Sequence, residues 1–207
     1  MSKKILTKVD KYYSEKIIEY GASSQGVDWN GRESHFLRFE QLCKVLYDEH
    51  KFTLLDYGCG FGSLIEFLDE RKFQYDYFGF DISLEMIKKA KSVHSSKNIS
   101  FDSVLDKSYY DYTVANGIFN VKLDSSEEEW KSYIEDTLMK INNVSERGFS
   151  FNILTSYSDE ENKKDYLYYA DPLYFFDFCK NNFSKNIALL HDYELYEFTI
   201  VVKKIVS

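Results

Sequence analysis

Five residues of this chain have types and spacing that can do chemistry together: Asp56, the glycines Gly58, Gly60 and Gly62, and Asp81, which follows about twenty residues later. The apolar run Leu54-Leu55-Asp56-Tyr57 enters the glycines directly. Glycine is needed where a strand turns sharply into a helix and lets a ligand touch the backbone, because a Cβ obstructs positive φ and close approach. Segment 63–71 is rich in helix formers, so its first amides are expected to face a ligand and favour an anionic part of it, phosphate or carboxylate. A second aromatic strand, Tyr75 to Phe80, ends in Asp81, where an acid can accept both hydroxyls of a ribose. The ligand this pattern calls for carries a nucleoside.

Read as Asp56-Tyr57-Gly58-Cys59-Gly60-Phe61-Gly62, the turn resembles the first motif of class I S-adenosylmethionine-dependent methyltransferases, and Gly79-Phe80-Asp81-Ile82-Ser83 resembles their second. The G-x-G-x-x-G fingerprint of dinucleotide-binding proteins fits less well, since Gly62 comes one place early and Ser63 stands at the third glycine position. The resemblance runs from about Asn30 onward, with specific motifs only between Leu54 and Asp81. It implies S-adenosylmethionine as cofactor, with Gly58 and Gly60 against its methionine half, Asp81 on the ribose and Asp102, or its rival Asp106, facing the adenine amino group. Asp56 either braces the turn or touches the ligand, and Cys59 reads as a small residue beside the cofactor, not a nucleophile. Arg38 is placed either on the cofactor carboxylate or along a solvated helix edge. Tyr12, Tyr13 and Trp29 belong to an N-terminal extension that in similar enzymes forms a lid, and anchoring of that extension is the competing role.

Ligands of open α/β sheets bind outside the carboxyl ends of the parallel strands, which adds Ile82, Ser103 and Asn116 to the cofactor candidates. Methyl transfer is an in-line displacement that depends on proximity and exclusion of water, so a strong base is optional. His191, with Tyr193 beside it, is the candidate general base for an amine or hydroxyl acceptor, and a structural role is its alternative. The stretch from Thr155 to Asp171 is long for a strand-to-helix connection. With Asn120 from the preceding loop, its Tyr157, Tyr168, Tyr169 and Asp171 are expected to shape an acceptor pocket. After the fourth strand the sequence Asn116-Gly117-Ile118-Phe119 lacks the Asn/Asp-Pro-Pro-aromatic motif of amino-directed DNA or glutamine methyltransferases, and a Pro-Cys pair for cytosine chemistry is also lacking.

Positioning these residues requires alternating strands and helices. A helix is expected from Asn30, opened by an Asn30-x-x-Glu33 capping box and burying Phe36, Phe39, Leu42, Cys43 and Leu46. Ser83 caps the next but one, and strands are read at 99–101, 111–116, 148–154, 187–190 and 196–202, with helices opening at Asp124 and Pro172. The pattern predicts an α/β fold, a Rossmann-like seven-stranded, mostly parallel sheet with one antiparallel strand, helices on both faces and an N-terminal helical extension, all as one domain over residues 1–207 with 1–30 as the lid.

At 207 residues the chain has room for one full α/β core and no separate substrate domain. The formal net charge of -8 opposes a phosphate backbone, so a nucleic acid partner is not expected and a small-molecule methyl acceptor is. Cys43, Cys59 and Cys179 have no metal-ligand spacing and cannot all pair, which fits a metal-free protein in a reducing cytoplasm. No apolar run is long enough to span a membrane, and the charged N-terminus does not read as a signal peptide. The function these features support is methyl transfer to oxygen or nitrogen of a small molecule. A protein-directed enzyme and a non-catalytic S-adenosylmethionine-binding protein are the alternatives.

Overall fold

The computed structural model describes residues 2–21, 31–47, 50–105 and 109–205. Runs of β-branched and aromatic residues form seven strands in one sheet: β1 (Phe52–Tyr57), β2 (Tyr75–Phe80), β3 (Ile99–Asp102), β4 (Tyr110–Ala115), β5 (Ser145–Leu154), β6 (Asn186–Leu190) and β7 (Glu197–Lys203). Their spatial order is β3-β2-β1-β4-β5-β7-β6. β7 runs antiparallel to both β5 and β6, while the pairs from β3 to β5 are parallel, which is the expected sheet. The chain leaves β1 toward β2 and β3, then returns to β1's other side as β4, so the order reverses between β1 and β4. Such a reversal opens a crevice at the strands' carboxyl ends.

Helices α1 (Ser2–Tyr20), α2 (Arg32–Leu42), α3 (Leu64–Glu70), α4 (Leu84–Val93), α5 (Glu127–Val144) and α6 (Pro172–Asn182) cover the two faces. One face buries Trp130, Ile134, Leu138 and Ile141 of α5 and Phe175 of α6 against Phe149, Phe151, Phe198 and Ile200. The other buries Phe39 and Leu42 of α2, Leu64 and Phe67 of α3 and Ile87 of α4 against Leu54, Tyr112 and Val114. Because both faces are covered, central strands such as β1 are apolar at successive positions instead of alternating.

Two caps form as their side chains dictate. Ser83 accepts from the Met86 amide at 3.2 Å, and Ser126 with Glu129 builds a capping box at the start of α5. The expected Asn30–Glu33 box falls outside the described residues at Asn30; the N-cap of α2 is Gly31, at φ 136° and with no side chain to cap with. β5 starts at Ser145, directly after α5 and earlier than the sequence suggests, because the Ser145 hydroxyl bonds Thr113 Oγ1 and the Ile141 carbonyl and turns helix into strand without a loop. The N-terminal extension is α1, which buries Ile5, Val9 and Ile17.

Candidate functional site

A cleft with about 800 Å³ of empty space, including its mouth, opens at the β1/β4 reversal. Its floor is the glycine turn after β1 (Gly58, Cys59, Gly60), one wall is the end of β2 (Phe80, Asp81, Ile82) with Met86 of α4, and the opposite wall is Asn116-Gly117-Ile118 after β4 with Tyr133 of α5. Val9 and Tyr13 of α1 close it from above, and His35 and Phe39 of α2 line the end near Ser63. α1 is held across the cleft at both ends: Ser14 Oγ lies 2.7 Å from Ser83 Oγ, and Lys8 pairs with Asp124 at 2.5 Å.

The glycines are required by conformation and space. Gly58 has φ 83°, and a Cβ there would lie 2.2 Å from Ile118 Cγ2; Gly60 has φ 55°. The amides of Gly58, Cys59, Gly60 and Gly62 are already bonded within the protein. Gly58 and Cys59 both donate to the Phe80 carbonyl (2.7 and 3.0 Å), Gly60 donates to Asp81 Oδ2 (2.9 Å) and Gly62 to the Cys59 carbonyl. A diphosphate cradle needs those amides free, whereas an amino-acid moiety lying on the turn does not.

Asp81 also accepts from the Ser83 amide at 2.9 Å, and each carboxylate oxygen keeps a lone pair for a sugar hydroxyl. Burial raises its pKa to about 6, with Asp10 of α1 adding in the same direction against the two backbone bonds. Asp56 is pushed up to about 7 by burial, partly offset by the bond from the Tyr77 hydroxyl at 2.6 Å. His35 is driven down to about 3 by burial, with Arg38 adding to it, and so is neutral at working pH. Burial raises the Tyr57 hydroxyl to about 12. The cleft therefore offers acids, neutral donors and aromatic faces.

Of the residues selected from sequence, Tyr13, Asp56, Gly58, Cys59, Gly60, Asp81, Ile82 and Asn116 converge on the cleft. Trp29 and Asp106 lie outside the described residues. Arg38 does not line the cleft; it is buried with its Nε 2.9 and 3.0 Å from the two oxygens of Glu197, and its Nη1 donates to the Ser34 carbonyl. Asp102 is exposed, its carboxylate folded back onto the Val104 amide at 3.0 Å, and neither it nor Ser103 lines the cleft.

The acceptor-side candidates stand further off. His191 is exposed, its ring 6.0 Å from Tyr157 and 6.3 Å from Phe198, and Tyr193 bonds Thr199 Oγ1 at 2.8 Å. Neither lines the cleft. Asn120 accepts from the Leu154 amide, Asp171 caps α6, and Tyr169 accepts from the Lys164 amide. Tyr168 is buried with its amide on the Asn120 carbonyl, and Tyr157 is exposed. None of these residues lines the cleft. His35, Phe39, Met86 and Tyr133 line the cleft without a sequence signal, because each lies on the inward face of a helix and reads there as core; His35, a histidine within an apolar stripe, was the one departure to notice.

A methyltransferase-domain family profile matches residues 54–146. Rv1506c of Mycobacterium tuberculosis (strain ATCC 25618 / H37Rv), provisionally named a methyltransferase, is 51% identical over 156 residues, which is 74% of this chain and 93% of that protein. Among solved structures, a Leishmania major SAM-dependent methyltransferase is similar over 96% of this chain and 82% of its own, at 14% identity and TM-score 0.64. Human N-acetylserotonin methyltransferase in complex with SAM is similar over 81% of this chain and 52% of its own, at 15% identity and TM-score 0.56. At such identities these structures share the fold.

Proposed function

The chain belongs to the class I S-adenosylmethionine-dependent methyltransferases, and on that footing we propose that it methylates an oxygen or nitrogen of a small molecule, in the cytoplasm. The observation that carries this reading is the cleft itself: a site at the sheet reversal, floored by glycines, bounded by the Asp81 carboxylate and roofed by Val9 and Tyr13 of α1. The charge of -8 supports an acceptor other than a nucleic acid. Among the described residues no helix is long and apolar enough to cross a membrane.

Bound S-adenosylmethionine supplies an electrophilic methyl group on a sulfonium. This chain's residues bind and shield it. Asp81 takes the ribose hydroxyls with its remaining lone pairs, Ile82, Met86 and Ile118 offer apolar faces to the base, and the Gly58–Gly60 turn accepts the amino-acid half at van der Waals distance. α1 excludes water from the reacting end through Val9 and Tyr13. Proximity is the main catalytic contribution here, since His191 and Tyr193 lie outside the cleft.

Isothermal titration with S-adenosylmethionine and S-adenosylhomocysteine tests the cofactor assignment. Micromolar binding is expected, weakened at least roughly tenfold in Asp81→Ala through lost charge-assisted hydrogen bonds. Incubation of a cell extract with radiolabelled S-adenosylmethionine then tests the acceptor class. Label in the low-mass fraction supports the proposal, and label confined to polypeptide overturns it in favour of a protein-directed enzyme.

A further inference from the structure

One buried polar network fixes the chemistry offered at the β4 wall of the cleft. It starts from a group whose role has no alternative: the Gly117 backbone N–H can only donate, and it points at Asn152 at 2.7 Å. The atom of Asn152 that it meets must be Oδ1, so the other end of that amide is the nitrogen. The nitrogen reaches Glu197 Oε1 at 3.1 Å and the Asn116 side chain at 2.9 Å. Glu197 is fully buried and faces Arg38, a donor-only group, so it presents acceptor oxygens. Both hydrogens of the Asn152 amide are thereby used, and the Asn116 atom that receives one of them must be Oδ1.

Asn116 is thus locked with its oxygen turned toward Asn152, and its Nδ2, which makes no hydrogen bond among the described residues, belongs to a residue that lines the cleft. Rotation of the amide would set two nitrogens against each other. The Asn116 side chain therefore offers only donors to a ligand. We propose that Asn116 Nδ2 binds an oxygen of the bound ligands, a carboxylate, carbonyl or phenolate, and that Asn152, held by Glu197 and Arg38, is the positioning residue that sets its polarity. This inference rests on the methyltransferase reading and adds to it the chemical class of the group recognised. The oxygen has two sources, the carboxylate of the cofactor or an oxygen of the methyl acceptor.

Side-chain amide signals in ¹H–¹⁵N spectra of the ¹⁵N-labelled protein test it. The Asn116 pair is identified by its loss in Asn116→Asp, and S-adenosylhomocysteine is added first, then benzoate as a carboxylate probe for the acceptor side. Displacement of the Asn116 pair by S-adenosylhomocysteine assigns the oxygen to the cofactor, and displacement only by benzoate assigns it to the acceptor. Asn116→Asp should weaken the ligand concerned roughly tenfold, because a donor becomes an anionic acceptor. In Asn152→Ala, with the backbone spectrum retained, the Asn116 pair should lose its ligand-induced displacement, and an unchanged displacement overturns the positioning role. If S-adenosylhomocysteine binds by titration yet neither ligand moves the pair, the proposal fails while the methyltransferase reading stands. If S-adenosylhomocysteine does not bind, both fall.

Discussion

Asp56 and Gly58 do opposite work at the head of the cleft, one carrying a buried carboxyl group and the other no side chain. Asp56 titrates near 7 in the folded chain against an ordinary value near 3.8, so its contribution to stability is fully present below pH 4 and is lost as pH rises through about 7. Asn at this position keeps an acceptor for the Tyr77 hydroxyl. Asp56→Asn should therefore stabilise the ligand-free protein at pH 8 by about 1–3 kcal/mol and by roughly half as much at pH 5.5, measured by chemical denaturation. An equal gain at both pH values would reject ionisation as the cause. Gly58→Ala should cost at least about 2 kcal/mol and remove cofactor binding by titration, since its Cβ meets Ile118 on a backbone at φ 83°. Both residues were legible in the sequence because strand, acid and glycine follow one another without a gap. Arg38 was legible only as a charge on a helix edge; its partner Glu197 lies 159 positions away, and no local pattern joins them.

At the scale of elements, β5 and β7 hide their polar residues. Ser150, Asn152, Glu197 and Thr199 occupy the alternate positions of strands whose other faces are apolar, a pattern that ordinarily means solvent. Here α2 covers that face, and each polar group is satisfied: Ser150 by the Leu42 carbonyl, Thr199 by Tyr193, Glu197 by Arg38 and Asn152. Removing one partner of the buried ion pair strands the other. Glu197→Ala should destabilise the fold by about 3–5 kcal/mol, whereas the double change Arg38→Met with Glu197→Met should recover most of that loss, as read from denaturation midpoints. A double variant no more stable than Glu197→Ala would mean that the pair stabilises by attraction and not merely by mutual compensation. The strand and helix sequence itself was readable, and the ends that shifted, Ser145 and Gly31, did so through hydrogen bonds and caps that composition does not encode.

For the whole molecule, the cleft joins the two halves of the sheet, and α1 spans them from Asp124 to Ser83. A ligand seated there holds both halves, so saturation with S-adenosylhomocysteine at about 100 times its Kd should add about 2.7 kcal/mol and raise a single melting transition by roughly 5–10 °C. Two transitions, with only one of them shifted, would show that the halves melt independently. The sheet order was foreseeable from the family resemblance, while the course of the 155–171 connection was not, because it is tied down by bridges at Val121–Leu167 and Thr155–Ala170, between residues distant in the sequence. The order also sets a timetable for biosynthesis. β7 is the last strand to be made yet sits between β5 and β6, so a nascent chain that has already formed its glycine turn still carries two unpaired strand edges. Until Glu197 arrives on that strand, the Asn152 amide is held by Gly117 and Asn116 alone and one of its two hydrogens lacks its partner. The protein completes its sheet and the polar network behind Asn116 at the same moment, and a chain stalled before β7 is prone to pair with its neighbours.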